Sequence, residues 1–219
     1  MEGNARIEEL MEKTDFKAER KDLYVPPRGR FVEVVVPVMT FLAIDGHGDP
    51  NTSEDYRHAV EALFAVSYAA KFLSKRELGR DYVVLPLEGL WSATDWTAFE
   101  RGAKEDWSWT MMIRQPDWVG TATLDRARDS VRAKRLPALH QVRRMTLTEG
   151  LCVQTLHVGS YDDEGPLLRS LHREYLPQRG LTPTGHHHEL YLNDPRKTVP
   201  AKLKVVLRQP VTNDKAASR

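Results

Sequence analysis

Between residues 37 and 211 the apolar positions follow two rhythms, one of period two and one near 3.6, and the switches between them mark the elements. Pro37 to Gly46 (PVMTFLAIDG) is apolar and rich in strand formers and closes on Asp45, Gly46 and Gly48, which predicts a strand followed by the loop GDPNTS. Ser53 with Glu54 and Asp55 behind it is a helix start, and the run Asp55 to Arg76 predicts a helix that continues to Gly79. Strands follow at Asp81 to Trp91 and Trp107 to Gln115, then a helix over Thr121 to Arg135 that Pro137 ends. Val142 to Thr148 and Leu151 to Val158 read as strands around a hairpin-like turn at Glu149-Gly150. A helix over Asp163 to Tyr175, stopped by Gly180, precedes strands at His186 to Leu192 and Leu203 to Arg208.

The long helix is apolar on two sides. Ala59, Leu63, Val66, Ala70 and Leu73 form one stripe, while Phe64, Tyr68 and Phe72 form a second at i, i+4, i+8 spacing. One stripe packs on a sheet. The other needs a cover: the N-terminal arm or an adjoining segment, with a ligand pocket or a partner subunit as alternatives.

Each half therefore offers strand, helix, strand, strand, and the likeness reaches single residues. The last strand of the first half ends Met111-Met112-Ile113-Arg114-Gln115-Pro116, and that of the second ends Val205-Val206-Leu207-Arg208-Gln209-Pro210. This implies a duplicated unit. The expected fold is α+β, with two tandem strand-helix-strand-strand modules in pseudo-twofold symmetry and antiparallel sheets flanking a ligand cleft. Module one covers about 36–118, a linking helix 121–135, and module two about 140–211. Residues 1–30, closed by Pro26, Pro27 and Gly29, form an arm ahead of a single domain over 31–211, and 212–219 form a frayed tail.

Composition narrows the function classes. The 219 residues carry 32 Lys+Arg against 31 Asp+Glu, a net charge of +1, so no general pull toward nucleic acid or anionic lipid exists. The basic stretch Arg132, Lys134, Arg135, His140, Arg143 and Arg144 lacks interleaved stacking aromatics and reads as a solvated face rather than a nucleic-acid surface. The most apolar run, Val32 to Ile44, is interrupted and too short to span a bilayer, and the acidic start lacks a secretion signal's apolar core. The one cysteine, Cys152, lies in a strand-like stretch and reads as a buried thiol, and a reducing cytoplasm is the expected compartment.

The string Gly185-His186-His187-His188-Glu189-Leu190-Tyr191-Leu192-Asn193-Asp194-Pro195 carries the strongest chemical signal. On a strand, His187, Glu189 and Tyr191 share one face, and His188, Leu190 and Leu192 the other. The leucine face is expected under the helices. The Glu189 face then offers a carboxylate beside an imidazole and a phenol, either as a general base in a partly dry cleft or as a solvated strand face. Adjacent histidines on a strand do not converge on one ion, and no HExxH or second Cys is present, so no metal or other cofactor is expected. Glu88, at an otherwise apolar strand end, is a second carboxylate of interest or else half of a salt bridge. Trp91, Trp96, Trp107, Trp109 and Trp118 all fall within 28 positions, as core packing or as flat walls for aromatic ligands.

On these residues the chain resembles the GyrI-like small-molecule-binding superfamily. The segments that carry the likeness are IDGHGDPNTSEDYRHAVEALFAVSYAAKFL, DYVVLPLEGLW, MMIRQPDWV, LCVQTLHVGSYDDEGP and HHHELYLNDPRKTVPAKLKVVLRQPV. The resemblance implies a cleft for flat, hydrophobic, often cationic molecules, with Glu189 at the position of the glutamate that recognises cationic drugs in sensing members. The first half is similar to a stand-alone subgroup that includes cyclopropanoid cyclopropyl hydrolases, which add water to the strained ring of DNA-alkylating natural products. No helix-turn-helix precedes the domain, leaving hydrolysis or sequestration. The expected catalytic groups are Glu189, Glu88 and Tyr191, and the expected ligand contacts are Trp91, Trp109, Tyr68, Tyr161 and His187. The expected partners are a small aromatic ligand, no nucleic acid and no membrane, in a monomer or homodimer.

Overall fold

The computed structural model describes residues 12–93 and 104–213, so Trp96 and the outermost ends of the arm and tail lie outside it. Strand β2 (Val32–Val36) runs through Pro37 and Val38 into β3 (Met39–His47), and helix α3 (Glu54–Leu78) follows. Strand β1 (Lys13–Thr14) and two short helices, α1 (Phe16–Glu19) and α2 (Lys21–Tyr24), lie in the arm before them. After α3 come β4 (Asp81–Tyr82), β5 (Leu87–Ala93), β6 (Trp107–Gln115) and α4 (Thr121–Ser130). The second half repeats the plan with β7 (Arg143–Leu147), β8 (Gly150–Val158), α5 (Gly165–Ser170), a π-turn over Leu171–Tyr175, α6 (Leu176–Arg179), β9 (Leu181–Pro183), β10 (His187–Tyr191) and β11 (Lys204–Asn213). The fold is α+β and its principal sheet is antiparallel throughout.

The strand order β2-β8-β11-β10-β5-β6-β3-β7 reads as two equivalent triplets, β8-β11-β10 and β5-β6-β3, meeting at a β10–β5 seam. The two module sheets are thus one continuous sheet. Each module's leading strand crosses to the other half, β2 onto β8 and β7 onto β3. The sequence reading of Glu149-Gly150 as a hairpin turn is corrected here: β7 and β8 do not pair, and the chain bends between modules instead. Only two residues join β2 to β3 and two join β7 to β8, so the opposite edges of the sheet are brought close and the sheet curls.

The curl gives the sheet an inner and an outer face. On the outer face, Leu42, Ile44, Met111 and Ile113 pack under Ala59, Ala62, Leu63, Val66 and Ala70 of α3. Ser53 caps that helix by accepting from the Tyr56 amide at 3.2 Å, and Gly79 ends it in the left-handed conformation. Val153, Leu171, Leu176 and Val211 form the matching cluster of the second module. On the inner face, Phe41, Met112, Leu190, Val206 and Cys152 close on Leu23 and Tyr24 of the arm, both fully buried. The leucine face of β10 is therefore covered by the arm, through its short helix α2, and not by a helix of either module, which reverses the sequence expectation. Alternation distinguishes two faces but not which one receives the helix, because that follows from the handedness of the strand-helix-strand crossover.

The duplicated Arg-Gln-Pro has a shared structural role. Arg208 is wholly buried on the inner face and bonds the side chain of Gln154 and the carbonyl of Leu23. Arg114, its counterpart, stacks on Phe16 with 4.9 Å between guanidinium and ring centre. Both arginines fasten the arm. The second aromatic stripe is not covered by it: Tyr68 is 49% exposed and Phe72 58%.

Candidate functional site

The outer face of the β5–β10 seam, between the helices of the two modules, gathers most of the chemistry. The register sets Glu189 opposite Gly89, His187 opposite Trp91 and Tyr191 opposite Leu87. Gly89 matters by what it lacks, since a β-carbon there would sit 2.9 Å from the Trp91 indole nitrogen. The Trp91 ring fills that space and donates from Nε1 to Tyr191 Oη at 3.0 Å, and Tyr191 Oη donates to Glu189 Oε2 at 2.7 Å. His187 Nε2 stands 3.5 Å from Glu189 Oε1, within ion-pair range but too far for a well-formed hydrogen bond, and neither His187 ring nitrogen has a hydrogen-bond partner.

Aromatic rings enclose this chain of hydrogen bonds. Tyr56, fixed in the first turn of α3 by the Ser53 cap, lies over Trp91 at 6.4 Å and meets Trp109 edge-on at 5.3 Å. Trp107 meets Trp91 at 5.6 Å, and Tyr161 meets Tyr191 edge-on at 5.6 Å. Trp91 and Trp109 are themselves almost wholly buried, so they form the floor, while the half-buried Tyr56, Trp107, Tyr161 and Tyr191 form the rim. The sequence left core packing and ligand wall as alternatives; Trp91 and Trp109 are packed into the core, and the other four rings keep part of their surface open.

Tyr161 arrives on the turn that follows β8. Gly159 adopts φ +155, and the His157 ring tucks beside it to bond the Ser160 carbonyl at 2.9 Å. This turn also delivers Glu164, a residue the sequence reading missed. Glu164 is 5% exposed and its Oε1 has no hydrogen-bond partner. Burial, then the nearby charges of Glu189 and Asp162, push its carboxyl well above the ordinary range, with Lys104 opposing. Burial and Glu189 likewise push the Tyr56 and Tyr191 hydroxyls upward, so both stay neutral donors. The only available signal for Glu164 was an acidic residue just ahead of a helix, which ordinarily reads as a favourable end charge.

Glu88 is elsewhere. Its register partner is Leu190, so it points to the inner face, fully buried, and its Oε2 lies 3.0 Å from His188 Nε2. Glu149, carried in by the bend between modules, meets His188 Nδ1 at 2.9 Å. Both partners are acceptors, so both ring nitrogens donate and His188 is an imidazolium. Burial works against that charge, but Glu149 and Glu88 raise the His188 pKa to about 9. The expectation of Glu88 as a catalytic group with Glu189 is thus corrected: the two lie on opposite faces of the sheet, and Glu88 makes the alternative, an ion pair, with His188. Tyr68 also stands apart, on the exposed stripe of α3 against Phe64, and Tyr56 occupies the place expected for it.

Two other features lie outside the site. A surface cleft of about 420 Å³ is lined by Arg128, Arg132, Arg135, Leu136, Leu139 and His140, and two of its arginines pair within their own stretch, with Asp125 and Asp129. Cys152 is fully buried, and burial and Glu149 push its thiol up to about 12. Among the described residues no group of three His, Cys, Asp or Glu side chains is placed to hold a metal ion, and no helix is long and apolar enough to cross a membrane.

A two-module α+β sheet with carboxylates and aromatic rings at its pseudo-dyad defines a small-molecule-binding domain. The pattern of the GyrI-like small molecule binding domain matches residues 31–212, and the chain belongs to that family. Among solved structures it is similar to an uncharacterized conserved protein from Listeria innocua, at 38% identity and TM-score 0.83 over 91% of this chain and all of the other. A hydrolase encoded by lin2189 from the same organism matches at 37% identity and TM-score 0.81 over 92% of this chain and all of its own. The EcmrR C-terminal domain, at 9% identity and TM-score 0.54 over 84% and 98%, shares the fold. No protein of curated function matches the chain.

Proposed function

We propose that the cleft binds flat hydrophobic molecules, often cationic, and that the protein adds water to the activated cyclopropane of DNA-alkylating natural products, a detoxification carried out in the cytoplasm. The observation that carries this reading is Glu189, oriented by Tyr191 and Trp91, together with a second carboxyl, Glu164, that is buried, has an unpartnered Oε1 and is pushed well above the ordinary range. A hydrogen-bonded carboxyl group and a buried one pushed upward are suited to be base and acid in one reaction. The likeness to Listeria proteins, one of them described as a hydrolase, agrees with it.

In the proposed reaction Glu189 accepts a proton from water. The water oxygen bonds to the cyclopropane methylene as the ring C–C bond breaks, and the electron pair moves to the conjugated carbonyl oxygen. Glu164 delivers its proton there, giving a phenol bearing a hydroxymethyl arm. Tyr191 donates to Glu189 and so orients the base. His187, with both ring nitrogens unpartnered, and the rings of Tyr56, Trp107 and Tyr161 hold the flat substrate, above a floor of Trp91 and Trp109.

Incubation with a cyclopropapyrroloindole, followed by mass spectrometry for the product heavier by one water, tests the proposal. Loss of that product in Glu189→Gln is the expected result, and unchanged turnover in that variant would overturn the assignment of the base. Bound but unaltered compound in the wild type would instead leave a sequestering protein.

A further inference from the structure

Away from the aromatic face, the segment that joins the two modules builds a second concavity. Its frame is packed, since Leu124, Ala127, Val131 and Ala138 are buried in the same cluster as Ala62, Leu63 and Val66 of α3. On that frame stand Arg128 from the last turn of α4, Arg132 and Arg135 from the turn that follows, and Leu136, Leu139 and His140 from the next, and together they line the cleft of about 420 Å³. His140 is fixed in the wall, because its Nδ1 donates to the Pro137 carbonyl at 3.0 Å.

The charge in this cleft is out of balance. Arg128 meets Asp125 at 3.1 Å and Arg132 meets Asp129 at 2.9 Å, each through Nη2 and each with a carboxylate one turn back on its own stretch. Exposed pairs of that kind are weak and give way to a better acceptor. Arg135 has no carboxylate partner among the described residues. It is also the one non-glycine residue there with a positive φ, 52°, whereas the chain uses glycine at the seven other such positions. A β-carbon makes that conformation costly, so glycine would relax the backbone at this point. An arginine kept where glycine fits better, beside two more arginines around one hollow, is explained by its side chain and not by its backbone.

We propose that this cleft is a second binding site, separate from the aromatic face, for a small organic anion: a carboxylate, sulfonate or phosphate head on an apolar body. The head engages Arg135 and the unspent donors of Arg128 and Arg132, whose planar guanidinium groups present paired N–H bonds to two oxygens at once. The body lies against Leu136 and Leu139. A bare inorganic ion fills only a small part of about 420 Å³, so the apolar part of the ligand is what displaces water from the rest. The site takes the opposite charge from the Glu189 face, and the inference does not depend on the reaction proposed there.

Naphthoate tests the proposal against naphthamide, which has the same rings without the charge, and acetate, which has the same head without the rings. Calorimetry on the full chain is expected to show naphthoate bound at least about tenfold more tightly than either control, and more weakly as salt is added. Arg135→Gly is expected to melt at the same temperature as the wild type or higher, because glycine suits the left-handed conformation, and yet to lose at least about tenfold in naphthoate affinity. Arg132→Gln, at an exposed position, should lose affinity in the same direction, so the test does not depend on one variant. Unchanged naphthoate affinity in both variants, or equal affinities for naphthoate and naphthamide in the wild type, would overturn the inference. Saturation with ethidium, a flat cationic dye suited to the aromatic face, should leave naphthoate binding as it was. Competition between the two would place naphthoate on the aromatic face and remove the second site.

Discussion

Glu88 and Glu189 lie across the β5–β10 seam one position out of register, with Glu88 opposite Leu190 and Glu189 opposite Gly89, and that single step puts the two carboxylates on opposite faces of the sheet. Glu189 belongs to the outer, aromatic-lined face and Glu88 to the inner one. Glu189→Gln is expected to lower hydrolysis by 10²- to 10⁴-fold, the usual effect of losing a positioned base. Glu88→Gln is expected to keep hydrolysis within a few-fold and to lower stability by about 1–3 kcal/mol, because His188 loses a charged acceptor. Product formation and thermal melting, measured on both variants, separate the two roles, and a melting loss without activity loss in Glu189→Gln would reverse them.

The buried imidazolium of His188 makes stability depend on pH. Its pKa is 6.5 when unperturbed and about 9 in the fold, so its contribution is complete below pH 6.5 and fades as pH rises through about 9. Urea midpoints are expected to decline from pH 6.5 to 9 in the wild type, and this decline should vanish in His188→Gln. That variant should also be less stable at neutral pH by about 3–5 kcal/mol, since Glu88 would lose its imidazolium partner, while Glu149 would keep Arg208, 3.5 Å from its Oε2.

Tyr56 and Tyr68 lie on the same helix but serve different surroundings. Tyr56→Ala removes a ring that touches both Trp91 and Trp109 and should weaken dye binding about tenfold or more. Tyr68→Ala, on the exposed stripe, should change dye affinity by less than about twofold. Titration of both variants with ethidium checks this, and equal losses would place Tyr68 in the cleft after all.

Gly46 faces Trp109 across the β3–β6 pair, and a β-carbon there would enter the space of the indole ring. Gly46→Ala is expected to cost about 1–3 kcal/mol, the range for overfilling a packed site, and to disturb the cleft floor. A lower melting temperature, together with altered near-ultraviolet circular dichroism from Trp109, is the measurement. An unchanged spectrum would show that the ring yields easily.

Much of the fold was legible in the chain. The Ser53 cap, the Gly79 stop and the strand at Trp107 stand where the pattern predicts, because caps and alternation are local properties. The repeated Arg-Gln-Pro announced a duplicated unit, and the sheet order is built as two equivalent triplets. The bend at Glu149-Gly150 misled because a turn signal states that the chain changes direction, not which strand it pairs with next. The inner face was misassigned to the helices because a two-residue alternation is the same whichever side is covered.

The sequence by itself determined that two similar halves form strands and helices in the same order, that Glu189, His187 and Tyr191 share one face, and that this chain has the residues for an aromatic, carboxylate-bearing site. All of that follows from local backbone geometry and side-chain spacing. Only the tertiary structure decided that Glu88 lies behind the sheet with His188, that Tyr56 and not Tyr68 overlies the tryptophans, and that Glu164 is buried with its Oε1 unpartnered. These depend on strand register, on the path between modules and on which groups lose their water together. Such contacts join residues 35 to 100 positions apart, and burial is a property of the assembled neighbourhood rather than of any short stretch of chain.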